Sequence, residues 1–258
     1  MIRQLFAADQ AAVLAYAGRE PEVNLFIIGD VENNGMVSDV QRLWGEHDSA
    51  GRLTAVLLQY HEYLVFYGPG DCDRAGFVSL MRTLAFRALS GTEASLALFL
   101  GAFPFRQIKR TNLCRLADAE RINAPSVAKP VLPLRPEDVG PMMDLYARIP
   151  EFRAQKPDLV RSELAAGHSH GYWIEHDGAM TAVARTTAEN SHSAMIVGVA
   201  THPDFRGRGF ATAVMAHLTR FLVASGRTAC LCYDNPEAGR IYHRMGFAPV
   251  GRYLMLMR

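Results

Sequence analysis

Cysteine is scarce in this chain, four residues in 258, and their spacing fits neither a disulfide framework nor a zinc site. A small secreted scaffold stapled by disulfides is therefore excluded. Charge of one sign is missing too: 27 Lys and Arg stand against 26 Asp and Glu, a formal net charge of +1, with no basic run interleaved with aromatics. Nucleic acid, bound largely through its phosphates, is thus not an expected partner. No apolar run is long enough to span a bilayer, and the opening Met1-Ile2-Arg3-Gln4-Leu5-Phe6 lacks the apolar core of a signal peptide. These absences lead us to expect a protein of the reducing cytoplasm with no membrane partner. Apolar residues, by contrast, make up 49% of the chain. At roughly 100 to 200 residues per domain, that content and length suit two packed cores.

The stretch richest in chemistry is 199 to 211, Val-Ala-Thr-His-Pro-Asp-Phe-Arg-Gly-Arg-Gly-Phe-Ala, which joins an apolar run at 193–200 to a helical pattern beginning near Gly207. The pattern predicts a strand feeding a glycine-rich turn that opens a helix. Backbone N–H groups in a helix's first turn have no intrahelical partner and sit at the positive end of the aligned peptide dipoles, so such a turn holds an anion. Gly207 and Gly209 lack a Cβ and let the main chain approach a ligand, while Arg206 and Arg208 add positive charge. The two commoner phosphate loops do not fit. A P-loop needs Gly-Lys-Ser/Thr where this chain has Gly209-Phe210-Ala211, and Gly-x-Gly-x-x-Gly fails because residue 212 is Thr.

Downstream, Phe210, Val214, Leu218, Phe221 and Leu222 recur at the spacing of one helical face, and Gly226 is a natural stop. Residues 228–233 predict a buried strand. Asn235-Pro236 is a cap followed by a first helical position, with Ala238, Ile241, Tyr242 and Met245 on the inner face before Gly246. The run 248–257 reads as a closing strand.

The loop Arg206-x-x-Gly209-x-Ala211, followed at the proper distance by Asn235-x-x-Ala238-x-x-x-Tyr242-x-x-x-Gly246-Phe247, resembles the two signatures of the GNAT superfamily of acyl-CoA-dependent N-acyltransferases. The resemblance covers residues 131–258. It implies an α/β (α+β) fold, a mixed, mostly antiparallel twisted sheet flanked by helices, and acetyl-CoA as co-substrate with no metal. Carried over, the pyrophosphate falls on Arg206, Gly207, Arg208, Gly209, Phe210, Ala211 and Thr212. The pantetheine arm would run along Val199, Ala200 and Thr201 like an extra strand, with a main-chain N–H there facing the thioester oxygen. The strand splays from its neighbour at this point in the family, and Gly198 is compatible with that. Asn235, in the signature with Ala238, would bond the pantetheine, and Tyr242 would stand near the sulfur and protonate the leaving thiolate.

The implied reaction moves an acetyl group to a primary amine, on a small molecule or a peptide, by direct attack on the thioester. Two other readings stay open: a catalytically silent acyl-CoA-binding sensor or scaffold, and a transferase for a larger acyl group. Near-neutral charge argues against an acceptor site fed by aminoacyl-tRNA. Family members often carry a basic Glu on the strand before the loop, yet Ser191-His192-Ser193-Ala194-Met195-Ile196 holds no carboxylate. Glu189, His192 and Glu175 are the substitutes, each reading first as a solvated strand-end residue, so the base stays unassigned. His168-Ser169-His170 reads as a surface loop without a third metal ligand. Cys230 and Cys232 face the same way on one strand and read as buried thiols.

Residues 119–130, with two prolines and several polar residues, read as a linker between a domain at 1–118 and the catalytic domain at 131–258. In the latter, Val131 to Arg135 predicts a strand, and Pro136 opens a helix with Met142, Leu145 and Tyr146 on its apolar side. The first half repeats this order loosely, through Leu5-Phe6, Val13-Leu14, apolar runs at 53–58, 62–67 and 96–100, and an alternating segment at 107–116. It is expected to be a degenerate second copy, and residues 24–34, Asn-Leu-Phe-Ile-Ile-Gly-Asp-Val-Glu-Asn-Asn, resemble bacterial tandem-type members of the family, although an apolar helix with a polar end would look the same. Its loop, Gly68-Pro69-Gly70-Asp71 before a helix at 75–89, has lost the signature. Pro69 removes a donor, and Asp71 and Asp73 put negative charge where phosphate would sit. This half is expected to bind no CoA and to serve as scaffold, acceptor-site wall or homodimer surface. Residues 148–172 would lie over the acceptor side.

Overall fold

The computed structural model of the chain describes every residue except Ala124, Ser126 and Ala128, in the expected linker, and Arg153, Ala154 and Gln155, in the expected acceptor segment. Its contacts divide into two compact units, Met1–Leu113 with Val250–Arg258, and Cys114–Pro249. The first half runs β1 (Ile2–Leu5), α1 (Gln10–Ala17), α2 (Leu25–Asn34), β2 (Gln41–His47), β3 (Leu53–Tyr60), β4 (Tyr63–Tyr67), α3 (Arg74–Arg82), β5 (Ala88–Thr92), α4 (Glu93–Leu96) and β6 (Gln107–Leu116). The second runs β7 (Val131–Pro133), α5 (Val139–Ala147), α6 (Pro157–Ala165), β8 (Gly171–His176), β9 (Ala179–Thr187), β10 (Ser193–Thr201), α7 (Phe210–Ala224), β11 (Thr228–Tyr233), α8 (Pro236–Arg244) and β12 (Phe247–Met257). The order is the same in both: strand, two helices, three strands, helix, strand, helix, strand. The units divide within β6 and within β12, rather than at 118 and 131. Prolines and polar residues mark where regular structure pauses and carry no information about which sheet a strand joins.

In the first unit the strand order is β1-β2-β3-β4-β5-β12-β6. β4 and β5 pair in parallel over Tyr63 to Val65, among antiparallel neighbours. Phe66, Phe77 and Phe99, all at most 1% exposed, meet edge to face with centroids 5.0 and 4.8 Å apart. Burying each contributes about 1.5–3 kcal/mol. The apolar run 96–100 is not a strand: it is the end of α4 and a 3₁₀ turn at Ala97–Phe99. A short apolar run that is buried on a helix is indistinguishable from a buried strand by periodicity. The helix expected to reach residue 89 stops at Arg82, and the stretch behind it contains β5, Ala-Leu-Ser-Gly-Thr, whose small residues give little strand signal. The start of α3 is closed by its own carboxylate, since Asp73 Oδ1 accepts from the Gly76 N–H at 2.9 Å. The Asp73 N–H in turn donates to Glu46 at 3.1 Å.

In the second unit the order is β7-β8-β9-β10-β11. It is antiparallel except for β10 and β11, which run parallel from Ser193 against Thr228 to Ile196 against Leu231. Alternation along β9 assigns the faces. Ala182 and Ala184 pack with Phe210, Val214, Leu218 and Tyr242 from α7 and α8. Val183 packs instead with Leu145, Tyr146 and Val160 from α5 and α6. Among the described residues, no three His, Cys, Asp or Glu group as metal ligands, and no helix is long and apolar enough to cross a membrane. All four cysteines are thiols, Cys230 buried and Cys232 half-buried.

His168-Ser169-His170 is more than a surface loop. Ser169 is buried and donates to the Thr186 carbonyl at 2.6 Å, and His170 Nδ1 lies 3.0 Å from Glu189. Glu189 also accepts from the Thr186 hydroxyl and from Arg227. It is 5% exposed, not solvated. Burial by itself would raise its pKa, but the hydrogen bonds from His170 and Thr186 and the neighbouring positive charge outweigh it, and the net direction is downward. A carboxyl lowered on folding stabilises the protein above the ordinary carboxylate range, and that contribution is lost as pH falls through the folded pKa. Replacing Glu189 by Gln is therefore expected to destabilise the chain by about 3 kcal/mol at neutral pH, by leaving Arg227 without its carboxylate. The gap between the melting temperatures of the two proteins should shrink progressively as pH falls below the ordinary carboxylate range; a pH-independent gap would contradict this.

Candidate active site

β10 carries one residue more than the stretch of β9 it pairs with: Val197 lies opposite Arg185, and Ala200 opposite Val183. This is a β-bulge, and it reverses the alternation of faces. Ala194 and Ile196 belong to the α7 and α8 side, whereas Ala200, an even number of places further on, belongs to the α5 and α6 side. Gly198 takes a φ of +63°, a left-handed conformation that favours glycine. Residues 197–199 are half-buried between buried neighbours, and the parallel ladder to β11 ends at Ile196. The two strands part here. The expected splay lies where the sequence put it, although Gly198 alone could not establish it.

Beyond β10 the chain turns through Gly207 and Gly209, at φ +76° and +79°. Gly209 is the N-cap of α7, and no side chain among the described residues caps that helix. Its first-turn N–H groups thus remain for a ligand, in contrast to α3. Arg206 Nε lies 3.5 Å from the Thr201 carbonyl. Arg208 donates to the Asp204 carbonyl at 3.2 Å and sits over the Phe205 ring. Both arginines are exposed, Phe210 is buried, and Ala211 and Thr212 are half-buried. A groove of about 520 Å³ opens beside Gly209, Thr212 and Arg244, with Arg121, Asn123 and Pro125 along its edge. Among the described residues, two guanidinium groups and no carboxylate line it, which suits a polyanion.

On α8, Asn235 Oδ1 accepts from the Glu237 N–H at 2.9 Å and so caps the helix. The residue is exposed, and its amide NH₂ is not used in that cap. Ala238 packs against the apolar cluster that includes Tyr242, as does Val199 of β10. Tyr242 is 9% exposed. Burial pushes its pKa up to about 12, so the phenol keeps its proton at neutral pH. Tyr233 lies beside it at 5.9 Å between ring centroids and is 2.8 Å from His243 Nε2. His243 Nδ1 faces the Phe247 carbonyl at 3.0 Å, a pure acceptor, so in the neutral ring Nδ1 carries the proton and Nε2 accepts from the tyrosine. Gly239 makes room for that ring, because a Cβ there would stand 2.4 Å from Tyr233.

The three base candidates do not converge on one role. Glu189 is occupied as described, His192 is exposed, and Glu175 accepts from the Gly178 N–H at 3.2 Å in the turn between β8 and β9. Sequence reasoning passed over Tyr146, Glu163 and Arg185, which lie on the α5 and α6 side of the bulge. Tyr146 was read only as an apolar helix position. The one available signal was Arg185 itself, a lone charge inside the otherwise uncharged strand Ala179–Thr187.

The profile of the Acetyltransferase (GNAT) family matches residues 140–247, which hold the bulged strand, the open helix start and Tyr242. Over that stretch, less than half of the chain, this protein is matched to the GNAT family. Serotonin N-acetyltransferase 2, chloroplastic, from Oryza sativa subsp. japonica is 30% identical over 116 residues, 43% of this chain and 56% of that protein. The chain thus matches little more than half the length of that relative. Over the whole chain the fold is similar to a tandem GNAT protein from the clavulanic acid biosynthesis pathway, with a TM-score of 0.64, 17% identity and coverage of 100% and 98%. A GCN5-related N-acetyltransferase-like protein from Streptococcus suis is similar too, with a TM-score of 0.63, 15% identity and coverage of 98% and 100%. At such identities the likeness is one of fold, and acyl transfer is the general chemistry of the family. In this chain, Gly209→Val forces a β-branched side chain into φ +79° and toward Pro125, 3.0 Å from an ideal Cβ. Calorimetry should find CoA binding weakened by at least about tenfold with the far-ultraviolet dichroism unchanged. Unchanged affinity would mean that the loop does not hold CoA.

Proposed function

We propose that this protein is an N-acetyltransferase that moves the acetyl group of acetyl-CoA to a primary amine, on a small molecule or a peptide, by direct attack on the thioester. The observation that carries the reading is that the uncapped start of α7, the parted end of β10 and the buried phenol of Tyr242 all border one apolar cluster. A thioester donor with a polyanionic tail matches that combination. The tail would lie on the N–H groups of Gly207 to Thr212, flanked by Arg206 and Arg208. The pantetheine would lie along Val199 to Thr201, within reach of the Asn235 amide. Acetyl-CoA supplies an activated acyl group, and the chain's residues orient it, which removes entropy loss from the reactive step.

In the reaction the amine nitrogen forms a bond to the carbonyl carbon and the carbon–sulfur bond breaks. A main-chain N–H at the bulge faces the oxygen as it gains charge. Tyr242, protonated at neutral pH, gives its proton to the departing thiolate. The ammonium proton passes to solvent, from which the tyrosinate recovers its own. No carboxylate stands on Ser193–Thr201, so the amine's deprotonation is assigned to no side chain. The four thiols agree with a cytoplasmic setting.

Acetyl-CoA turnover over a panel of amines, wild type against Tyr242→Phe, tests the reading. The expected result is a fall in kcat of up to about 10²–10⁴-fold with CoA affinity nearly unchanged. Tight CoA binding without turnover on any amine, and indifference to the Tyr242 change, would favour an acyl-CoA sensor instead.

A further inference from the structure

On the face of the second unit opposite Tyr242, a chain of polar groups crosses an apolar cluster and ends at the bulge. Glu163 of α6 and Arg185 of β9 lie 3.4 Å apart, with side chains 18% and 8% exposed. Arg185 Nη1 also donates to the Thr186 carbonyl at 3.0 Å, and its positive charge acts on the Tyr146 hydroxyl. Tyr146 is 1% exposed within the cluster of Leu145, Val160 and Val183. Its hydroxyl donates to the Gly198 carbonyl at 3.0 Å.

The Gly198 carbonyl and the Val199 N–H share one planar trans peptide and so point in opposite directions. With the carbonyl turned toward Tyr146 on the α5 side, the Val199 N–H is turned toward the α7 and α8 side. Val199 packs there, and Tyr242 stands there. Gly198 makes the contact possible, since a Cβ at that residue would lie 2.1 Å from the Tyr146 hydroxyl.

We propose that Tyr146, beside the Arg185–Glu163 pair, is a positioning residue that fixes the Gly198–Val199 peptide so that the Val199 N–H is presented to the thioester oxygen. The inference rests on the acyl-transfer reading of the site. Tyr146 touches no reacting atom and acts through the peptide it holds. A bulge residue has no ladder partner of its own, so without this hydrogen bond the peptide is free to rotate and the donor loses its aim. Deleting an oxyanion donor costs about 10²–10³-fold in kcat, and loosening one costs part of that.

The test uses the full chain and Tyr146→Phe, which keeps the ring. kcat should fall by about ten- to a hundredfold, while the CoA dissociation constant and the amine KM stay within about twofold. In ¹⁵N-labelled wild type, the Val199 amide resonance should respond to acetyl-CoA more than to CoA, and in Tyr146→Phe that difference should vanish. Glu163→Gln, nearly isosteric, should give a smaller loss of the same kind and stands in if Tyr146→Phe does not fold. Unchanged kcat with an unchanged Val199 response in a folded variant would overturn the proposal, as would CoA affinity falling in step with kcat. If wild type acetylates no amine, the acyl-transfer reading fails by itself. The acetyl-specific Val199 response, and its loss in the variant, then still decide whether Tyr146 positions that peptide.

Discussion

Because β10 carries one residue more than the stretch of β9 it pairs with, its inward and outward faces exchange at Gly198, and the site of the second unit follows from that exchange. Residues before the bulge pack toward α7 and α8, and Ala200 after it packs toward α5. A regular strand would give all its N–H and carbonyl groups to its two neighbours. The bulge withholds one peptide from the ladder, and the end of the parallel pairing at Ile196 opens a gap beside it. Main-chain groups are thus left for a ligand without burying unpaired donors, since the gap reaches solvent at residues 197–199.

The two units repeat one order of elements but finish the helix after their third antiparallel strand differently. α3 starts on Asp73, which supplies its own carboxylate to the first-turn N–H of Gly76. α7 starts on Gly209 and supplies nothing. A side-chain cap is worth about 1 kcal/mol, so leaving α7 uncapped lowers stability by roughly that amount. The helix tolerates the loss because it buries Phe210, Val214, Met215, Leu218 and Leu222, each contributing about 1.5–3 kcal/mol. α3, with nine residues and three buried side chains, has less to draw on. Capping one helix and opening the other therefore agrees with which of them can spare the cap.

The loop and the second signature were legible in the sequence because their chemistry is local. Glycines at 207 and 209, the cap at Asn235 and the inner face of α8 are consequences of neighbours in the chain. The bulge was not legible, since it is defined by the register of β10 against β9, and a strand pattern carries no count of residues on its partner. Tyr146 and Gly198 lie 52 residues apart, and Glu163 and Arg185 lie 22 apart, so no periodicity links them. Glu189 was read as solvated because its partners His170, Thr186 and Arg227 come from three different segments. The assignment of residues 250–258 to the first unit was hidden for the same reason: pairing of β12 with β5 joins residues as distant as Tyr253 and Thr92.

The Glu163–Arg185 pair is a poor device for stability, which bears on why it exists. Burial raises the pKa of Glu163, outweighing the charge of Arg185 and the hydrogen bonds from Thr187 and Arg185. An acid whose pKa rises on folding lowers stability as pH increases through the carboxylate range. The separation of 3.4 Å is longer than a strong charge-assisted hydrogen bond of about 2.7–2.9 Å. Arg185 Nε, moreover, has no partner among the described residues. Apolar side chains of similar volume would pack this face at least as stably. What they would not supply is a hydroxyl held at one point beneath the Gly198 carbonyl. The polar chain is thus better understood by the direction it imposes on one peptide than by any energy it adds to the fold.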